Sequence, residues 1–173
     1  SVSSLDINQT VDNLGNVLVA GYFIGNVDFN PNPVFSNVLY SIQSSQDAFV
    51  LKLTPNGDYI WAKNIGGSSY DCSLGIDVDA IGNINYCGFF SGNNVDFDPS
   101  LNSSDFFSSN GNEDMFFSKL TSDGNYITTK VLGGTGVDWA GNVTSDINGN
   151  VYLSGFFQGL IDFNFPNGEY FQA

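Results

Sequence analysis

The sequence predicts an all-β fold made of tandem four-stranded antiparallel units, and three observations carry that prediction. The chain has 173 residues, and a Gly-Asn step recurs in it every 67 residues, at Gly15, Gly82 and Gly149. Short segments rich in Gly, Asn and Asp separate runs of apolar and aromatic residues, as turns separate strands. No long stretch has the 3.6-residue apolar period of an amphipathic helix, so helix is expected to be minor.

The repeat extends through the whole unit and sets its boundaries. The run Asp47–Leu53 aligns with Asp114–Leu120 at the same spacing. Further pairs obey it: Gly66 and Gly133, Asp71 and Asp138, Lys52 and Lys119, Lys63 and Lys130. All 4 lysines are therefore repeat positions and do not form a binding patch. We expect repeat units at residues 1–67 and 68–134 and a partial unit at 135–173, as a fragment of a longer repeat array.

Each unit is predicted to contain four strands. In the second unit they run from Gly75 to Val78, Ile84 to Phe90, Met115 to Leu120 and Tyr126 to Val131. Asp79–Asn83 and Thr121–Asn125 are predicted turns, because Gly can take a positive φ there and Asp or Asn can bond its own backbone. Strands joined by such short turns are antiparallel neighbours. A longer connection, Ser91 to Asn112, joins the second strand to the third.

Alternation along the third strand predicts which of its side chains are buried. One face is expected in the core: Phe49, Leu53, Phe116 and Leu120. The opposite face is expected to be partly buried against the next unit: Val50, Lys52, Phe117 and Lys119. The Lys stems would lie along apolar surface with their charged ends in water.

Composition excludes several classes of function. The formal net charge is −14, with 4 Lys and Arg against 18 Asp and Glu. Such a surface repels nucleic acid and anionic lipid, so neither is expected as a partner. No run is apolar enough for a membrane span, so membrane insertion is not expected, and the N-terminus lacks the pattern of a signal peptide. Any export signal would lie outside this chain or have been removed.

The two cysteines, Cys72 and Cys87, have no metal-ligand spacing. If they lie on paired strands, the turn between them places them about three residues out of register, roughly 10 Å at the rise of a strand. That separation is too large for a disulfide. We expect both residues to be buried or half-buried thiols.

The run from Gly15 to Gly67, GNVLVAGYFIGNVDFNP followed by DAFVLKLTPNGDYIWAKNIGG, resembles the SBBP-type β-propeller repeats of exported Bacteroidota proteins. The resemblance covers nearly the whole chain, and the ordered succession of its motifs is specific. It implies four-stranded propeller blades in a secreted or surface protein, often one with a C-terminal sorting domain. The departures are modest, with Thr128 at the position of Trp61. Because propellers generally need 4 to 8 blades, we expect further blades of the same chain, or an association of several copies.

A recurring acidic residue is the best candidate for a ligand-binding position. Asp28, Asp96 and Asp162 each lie between apolar residues in the segment that follows a second strand. A carboxylate buried among apolar residues must bond backbone donors or meet a cation, and calcium is the cation that suits it. Both interpretations stay open. No other cofactor is expected.

The functional hypothesis is a non-catalytic scaffold or adhesion module, extracellular or on the cell surface. Without His, a Ser-His or Cys-His nucleophile is impossible within the chain. The many acids offer no reason to choose the converging pair that a glycosidase needs. One alternative is a carbohydrate- or protein-binding propeller that uses the long loops. A less favoured one is a non-catalytic part of a secreted polysaccharide-acting enzyme. Partners would be further blades, other surface proteins or a glycan.

Overall fold

The computed structural model describes residues 7–161, and these form an antiparallel all-β structure. Its strands, in chain order, are β1 (Asn8–Val11), β2 (Val17–Ile24), β3 (Asn26–Asp28), β4 (Val38–Tyr40), β5 (Gln46–Leu53), β6 (Tyr59–Ile65), β7 (Asp71–Val78), β8 (Ile84–Ser91), β9 (Val95–Asp96), β10 (Phe106–Phe107), β11 (Glu113–Leu120), β12 (Tyr126–Leu132), β13 (Trp139–Ser145) and β14 (Val151–Phe156). A single short 3-10 turn, Ile42–Ser44, is the helical segment of this part of the chain.

The strands form two four-stranded sheets and the start of a third. The first blade has the order β1-β2-β5-β6, the second blade has β7-β8-β11-β12, and β13 pairs with β14 in the third. Every sheet pairing is antiparallel between strands that are neighbours in the meander. The predicted fold class and the four-stranded units are confirmed. The unit boundaries at residues 67 and 134 stay predictions.

Two features of the strands differ from the sequence-based prediction. The first strand of the second blade begins at Asp71 instead of Gly75, because a register shift between Ser73 and Gly75 lets pairing with β8 continue past the glycine. The long connection is also not irregular. It contains the small hairpin β9-β10, as the corresponding connection of the first blade contains β3-β4.

The tight turns form as predicted. Asp79 accepts hydrogen bonds at its Oδ1 from the backbone N–H groups of Ile81 (3.1 Å) and Asn83 (2.8 Å). Gly82 has a φ of +90° and donates its N–H to the Asp79 carbonyl. Glycine takes this conformation without strain, so the Asp and Gly of the repeat together specify the turn.

The blades stack face to face. β7, the first strand of the second blade, contacts β1, β2 and β5 of the first, and β13 contacts β7, β8 and β11 of the second. One core cluster spans the first two blades and a smaller one lies between the second and third. Each blade therefore buries its faces against its neighbours, as propeller blades do.

Aromatic residues of the repeat signature fill the core at one end of each blade. Phe97, which follows β9 and is fully buried, packs edge-on against Phe90, Phe107 and Phe116. In the first blade, the half-buried Phe29 packs edge-on against Phe23 and is tilted against Phe49. In these two blades the hairpin after the second strand thus packs a Phe against the aromatic residues of its blade, which gives that recurring segment a structural role.

Most burial expectations hold. Phe49, Phe116 and Leu120 are buried, and Leu53 is half-buried. On the opposite face Val50 and Lys52 are buried, while Phe117 and Lys119 are half-buried. The expectation that the charged ends of the lysines lie in water is wrong for Lys52, because its buried Nζ pairs with Asp12 and donates to the Ser122 carbonyl.

Cys72 and Cys87 remain buried thiols, as expected. Cys87 pairs with Gly75 across β7 and β8, so Cys72 lies three residues further along its strand. In the described residues no helix is long and apolar enough to cross a bilayer.

Candidate functional site

Two of the predicted ligand-binding acids, Asp28 and Asp96, accept hydrogen bonds from backbone N–H groups of their own loops. Asp28 is exposed in β3, and its Oδ1 accepts the N–H groups of Asn30 (3.0 Å) and Asn37 (2.9 Å). These bonds, that from Asn37 first, lower the pKa of Asp28 below its usual value. The half-buried Asp96 repeats the arrangement, with its Oδ1 accepting the N–H groups of Asp98 (3.1 Å) and Asp105 (2.9 Å). Each carboxylate closes the hairpin loop of its own blade.

The structure does not bring these acids together. Asp28 and Asp96 belong to the loops of different blades, and Asp162 lies outside the described residues. In residues 7–161 no three His, Cys, Asp or Glu side chains form a group that could hold a metal ion. Backbone bonding is the role that the geometry of Asp28 and Asp96 supplies, and calcium at these positions stays a hypothesis.

A different set of acids is buried, at the junctions between blades. Its members are Asp47, Asp71, Asp114 and Asp138. Asp71 accepts the N–H of Gly67 at 2.7 Å, and Asp138 accepts that of Gly134 at 2.7 Å. Asp71 begins the first strand of the second blade, and Asp138 immediately precedes the first strand of the third. Each therefore fastens its blade to the segment that arrives from the blade before it, through a buried hydrogen bond.

Burial raises the pKa of three junction carboxylates, Asp47, Asp71 and Asp114. Burial raises the pKa of Asp71 to about 7, backbone bonds from Gly67 and Ser91 oppose that rise, and the nearby charge of Asp47 adds to it. Burial likewise raises the pKa of Asp47 and Asp114. Two acids meet at each junction, and the neighbouring charge of Asp138 raises the pKa of Asp114 as that of Asp47 raises the pKa of Asp71. Consistent with this, Asp114 Oδ1 has no hydrogen-bond partner among the described residues.

The glycines beside these acids are required by space. A Cβ on Gly66 would lie 2.5 Å from Cγ of Asp47, and a Cβ on Gly133 would lie 2.2 Å from Cγ of Asp114. Only glycine leaves room for the buried carboxylate. The repeat spacing of these Asp and Gly residues is evident in the sequence, but the burial of the Asp side chains was not predicted. The signal that could have revealed it is an Asp in a strand that recurs together with a Gly-Gly step.

The lysines of the two third strands, Lys52 and Lys119, form ion pairs within their own blades. Lys52 pairs with Asp12 at 3.0 Å and Lys119 with Asp79 at 2.8 Å, so each joins the third strand to the first turn of its own blade. Burial opposes ionisation of Asp12, yet bonds from Asn16 and Lys52 bring its pKa down to about 2. These charges stabilise a turn and are not available to a ligand.

An open cavity lies at the edge of the first blade. Its volume is about 690 Å³, and its lining comes from the loop 30–37 and from Gly57, Asp58 and Tyr59 of the β5-β6 turn. Asn side chains dominate the polar part of the lining, and Phe35 and Tyr59 supply aromatic surface. Asp58 is the single carboxylate of that lining, whereas glycoside hydrolysis uses two.

Comparison with known proteins supports the repeat architecture. No protein-family model matches the sequence. An uncharacterized WD repeat-containing protein of Acanthamoeba polyphaga mimivirus is 26% identical in an alignment that is 189 positions long and covers 91% of this chain. The chain spans 13% of the length of that relative. This similarity and the stacked four-stranded sheets fit a β-propeller-like repeat protein.

Proposed function

We propose that this chain is a non-catalytic part of a propeller-type scaffold, extracellular or on the cell surface, within a larger exported protein of the SBBP-repeat type. The observation that carries the proposal is the use of the repeated residues. The recurring Phe residues pack against the aromatic residues of their own blades, as Phe29 does against Phe49 and Phe97 against Phe116. The recurring acids bind backbone, as Asp71 does at Gly67. What recurs therefore holds blades together, and no recurring group is left over for chemistry among residues 7–161.

Two measurements test this proposal. Protease or antibody treatment of intact producing cells is expected to reach the protein, because a surface scaffold is accessible without lysis. Full protection in intact cells, with cleavage after lysis, would contradict the location. Purified protein is expected to release no reducing ends from a panel of polysaccharides. Release of reducing ends by the purified chain would contradict the proposal that it is non-catalytic.

A second candidate function, binding of a protein or carbohydrate through the long loops, rests on their exposed tips. Val34 is 79% exposed in the loop of the first blade, and Leu101 is fully exposed in that of the second. Apolar side chains at such positions contribute nothing to the core and suit a contact with a partner. This adhesion role would use the scaffold without any new fold.

Glycan arrays and titration with candidate surface proteins would detect such binding. Val34→Ser and Leu101→Ser are expected to weaken a loop-mediated interaction without lowering the melting temperature. Ile81→Ser is a matched control, because Ile81 is 85% exposed in a tight turn outside the long loops. Saturable binding that none of the three variants changes would exclude the loop tips as the contact.

A further inference from the structure

The cavity of the first blade corresponds to a place that is filled in the second blade. There, Trp61 and Lys63 of β6 lie against the turn 121–125, and the Trp61 indole N–H donates to the Ser122 carbonyl at 3.3 Å. A Cβ on Gly124 would lie 3.1 Å from the Trp61 ring and 3.2 Å from Cε of Lys63. The outer strand of one blade is therefore seated on the turn of the next blade.

The equivalent turn of the first blade is open. Gly57 occupies the position of Gly124 in the repeat and has a similar backbone, with φ of +88° against +78°. A Cβ on Gly57 would meet nothing within 4 Å. Gly57 instead lines the open cavity, together with the loop 30–37. That loop corresponds to the loop 98–105 of the second blade, whose Asp98 lies near Lys63.

The open turn and loop of the first blade and the covered turn and loop of the second both carry negative charge. In the second blade Asp98 lies near Lys63, whose charge adds to the hydrogen bonds from Ser103 and Ser100 that lower the pKa of Asp98 against the effect of burial. The first blade has Asn30 at that position, but it has Asp58 where the second blade has Asn125. Both places therefore carry a carboxylate in the loop or turn that forms them, Asp98 in the second blade and Asp58 in the first, which suits a cationic side chain.

The apolar surface next to the cavity is also less covered than its counterpart in the second blade. Val17, Val19 and Leu53 of the first blade are half-buried. Their repeat counterparts, Ile84, Tyr86 and Leu120, are fully buried because the first blade covers them. The open cavity and this half-buried face are continuous parts of a surface that, one unit later, holds a blade.

We infer that the cavity lined by the loop 30–37 and by Gly57, Asp58 and Tyr59 is a docking socket for the outer strand of another repeat unit. The strand it fits carries an aromatic side chain and, two residues later, a lysine, as Trp61 and Lys63 do. This inference rests on the proposed scaffold function and names one of its contacts. The occupant is a blade placed before the first blade, in the same polypeptide.

A tandem protein tests the inference. A second copy of residues 1–67 is fused directly before Ser1, so that the fusion reproduces the natural junction between Gly67 and Ser68. Hydrogen exchange is measured at Gly57 of the original unit, whose N–H donates to the Thr54 carbonyl. Docking is expected to slow this exchange by roughly tenfold or more, because it covers the turn. Gly124, which Trp61 and Lys63 already cover, is the internal reference and is expected to stay unchanged.

The control variant carries Trp61→Thr in the added copy only. Thr is the residue that the second unit has at this position, Thr128, so the strand is expected to form. Exchange at Gly57 should then return most of the way to the rate of the parent chain. Equal exchange in the parent chain, the tandem protein and the control would overturn the inference.

Carbohydrate binding provides the opposing outcome. If the parent chain binds a glycan, Tyr59→Ala abolishes that binding, and the tandem protein binds as well as the parent, the cavity is a ligand site and the inference is wrong. Glycan binding that the tandem protein loses would support the socket, because the docked strand then covers the site. A wrong cellular location would defeat the proposed function and leave these exchange rates unaffected.

Discussion

The first and second blades have nearly the same sequence pattern but differ in how deeply their equivalent faces are buried. Tyr86 and Leu120 of the second blade are completely buried, whereas Val19 and Leu53, at the same repeat positions of the first blade, are half-buried. The difference comes from the neighbours, because the first blade covers one face of the second. Burial of a blade face is therefore a property of the stack and not of the unit that carries it.

The largest expected effect is at the centre of the covered face. Phe116→Ala is expected to destabilise the protein by about 3–5 kcal/mol, because it removes a buried ring and leaves a cavity. The Phe116 ring packs against Tyr86 and Phe97, so its loss also weakens the contact that the hairpin makes with the blade. Chemical denaturation monitored by circular dichroism measures the change.

Phe116→Leu is the matched control for that experiment. Leucine keeps most of the apolar volume, so the loss should be clearly smaller than for alanine. An alanine variant that loses less than about 1 kcal/mol would show that this face is not the core of the stack.

A matched pair of leucines sharpens the comparison between the blades. Leu120→Ala is expected to cost about 2–5 kcal/mol, and Leu53→Ala about 1 kcal/mol, because only the first of these side chains is fully buried. Equal losses in the two variants would contradict the dependence on a neighbouring blade. If the tandem protein described above is made, the loss for Leu53→Ala in its original unit is expected to rise toward that for Leu120→Ala.

The main strands and the tight turns between them could be predicted from the sequence, because they depend on residues close together in the chain. The strands around Asp79 and Gly82 could be predicted because a tight turn needs particular residues at particular positions. The hairpins β3-β4 and β9-β10 could not, because their strands have three and two residues and carry no measurable alternation.

The sites depended on contacts between blades, which a unit's own sequence does not encode. Asp71 reads as an ordinary polar residue at the start of a strand, yet the chain from the preceding blade buries it. The cavity at Tyr59 likewise depends on how the loop 30–37 lies against a distant turn. For the loop acids, the sequence left backbone bonding and calcium open, and the backbone bonds of Asp28 match the first.

The buried acids at the junctions predict a dependence of stability on pH. The pKa of Asp71 is raised to about 7 in the folded protein, above the ordinary value of 3.8, so the folded state binds more protons between these values. The stabilisation is complete below about pH 4 and is lost as the pH rises through 7. Between pH 5 and pH 8 this group is expected to lower the free energy of unfolding by at most about 2–3 kcal/mol. The melting temperature should therefore be lower at pH 8 than at pH 5.

Asp71→Asn identifies the group responsible. This variant loses one acceptor and is less stable overall, but its melting temperature should change less between pH 5 and pH 8 than that of the parent. The raised pKa of Asp47 and Asp114 leaves a residual dependence of the same sign. An unchanged pH profile in the variant would show that Asp71 is not the source of the pH dependence in this range.

The smallest expected effects are at the loop acid of the first blade, and they separate its two interpretations. Both backbone N–H groups bind the same oxygen, Oδ1 of Asp28, so Asp28→Asn keeps the acceptor and should cost only a few tenths of a kcal/mol. Asp28→Ala removes it and should cost about 1 kcal/mol, as the loss of a capping acid does. On this structural interpretation, millimolar calcium and excess chelator give the same melting temperature in all three proteins. A calcium site predicts instead that the metal stabilises the parent chain and that both variants lose this effect, since an amide oxygen binds calcium more weakly than a carboxylate does.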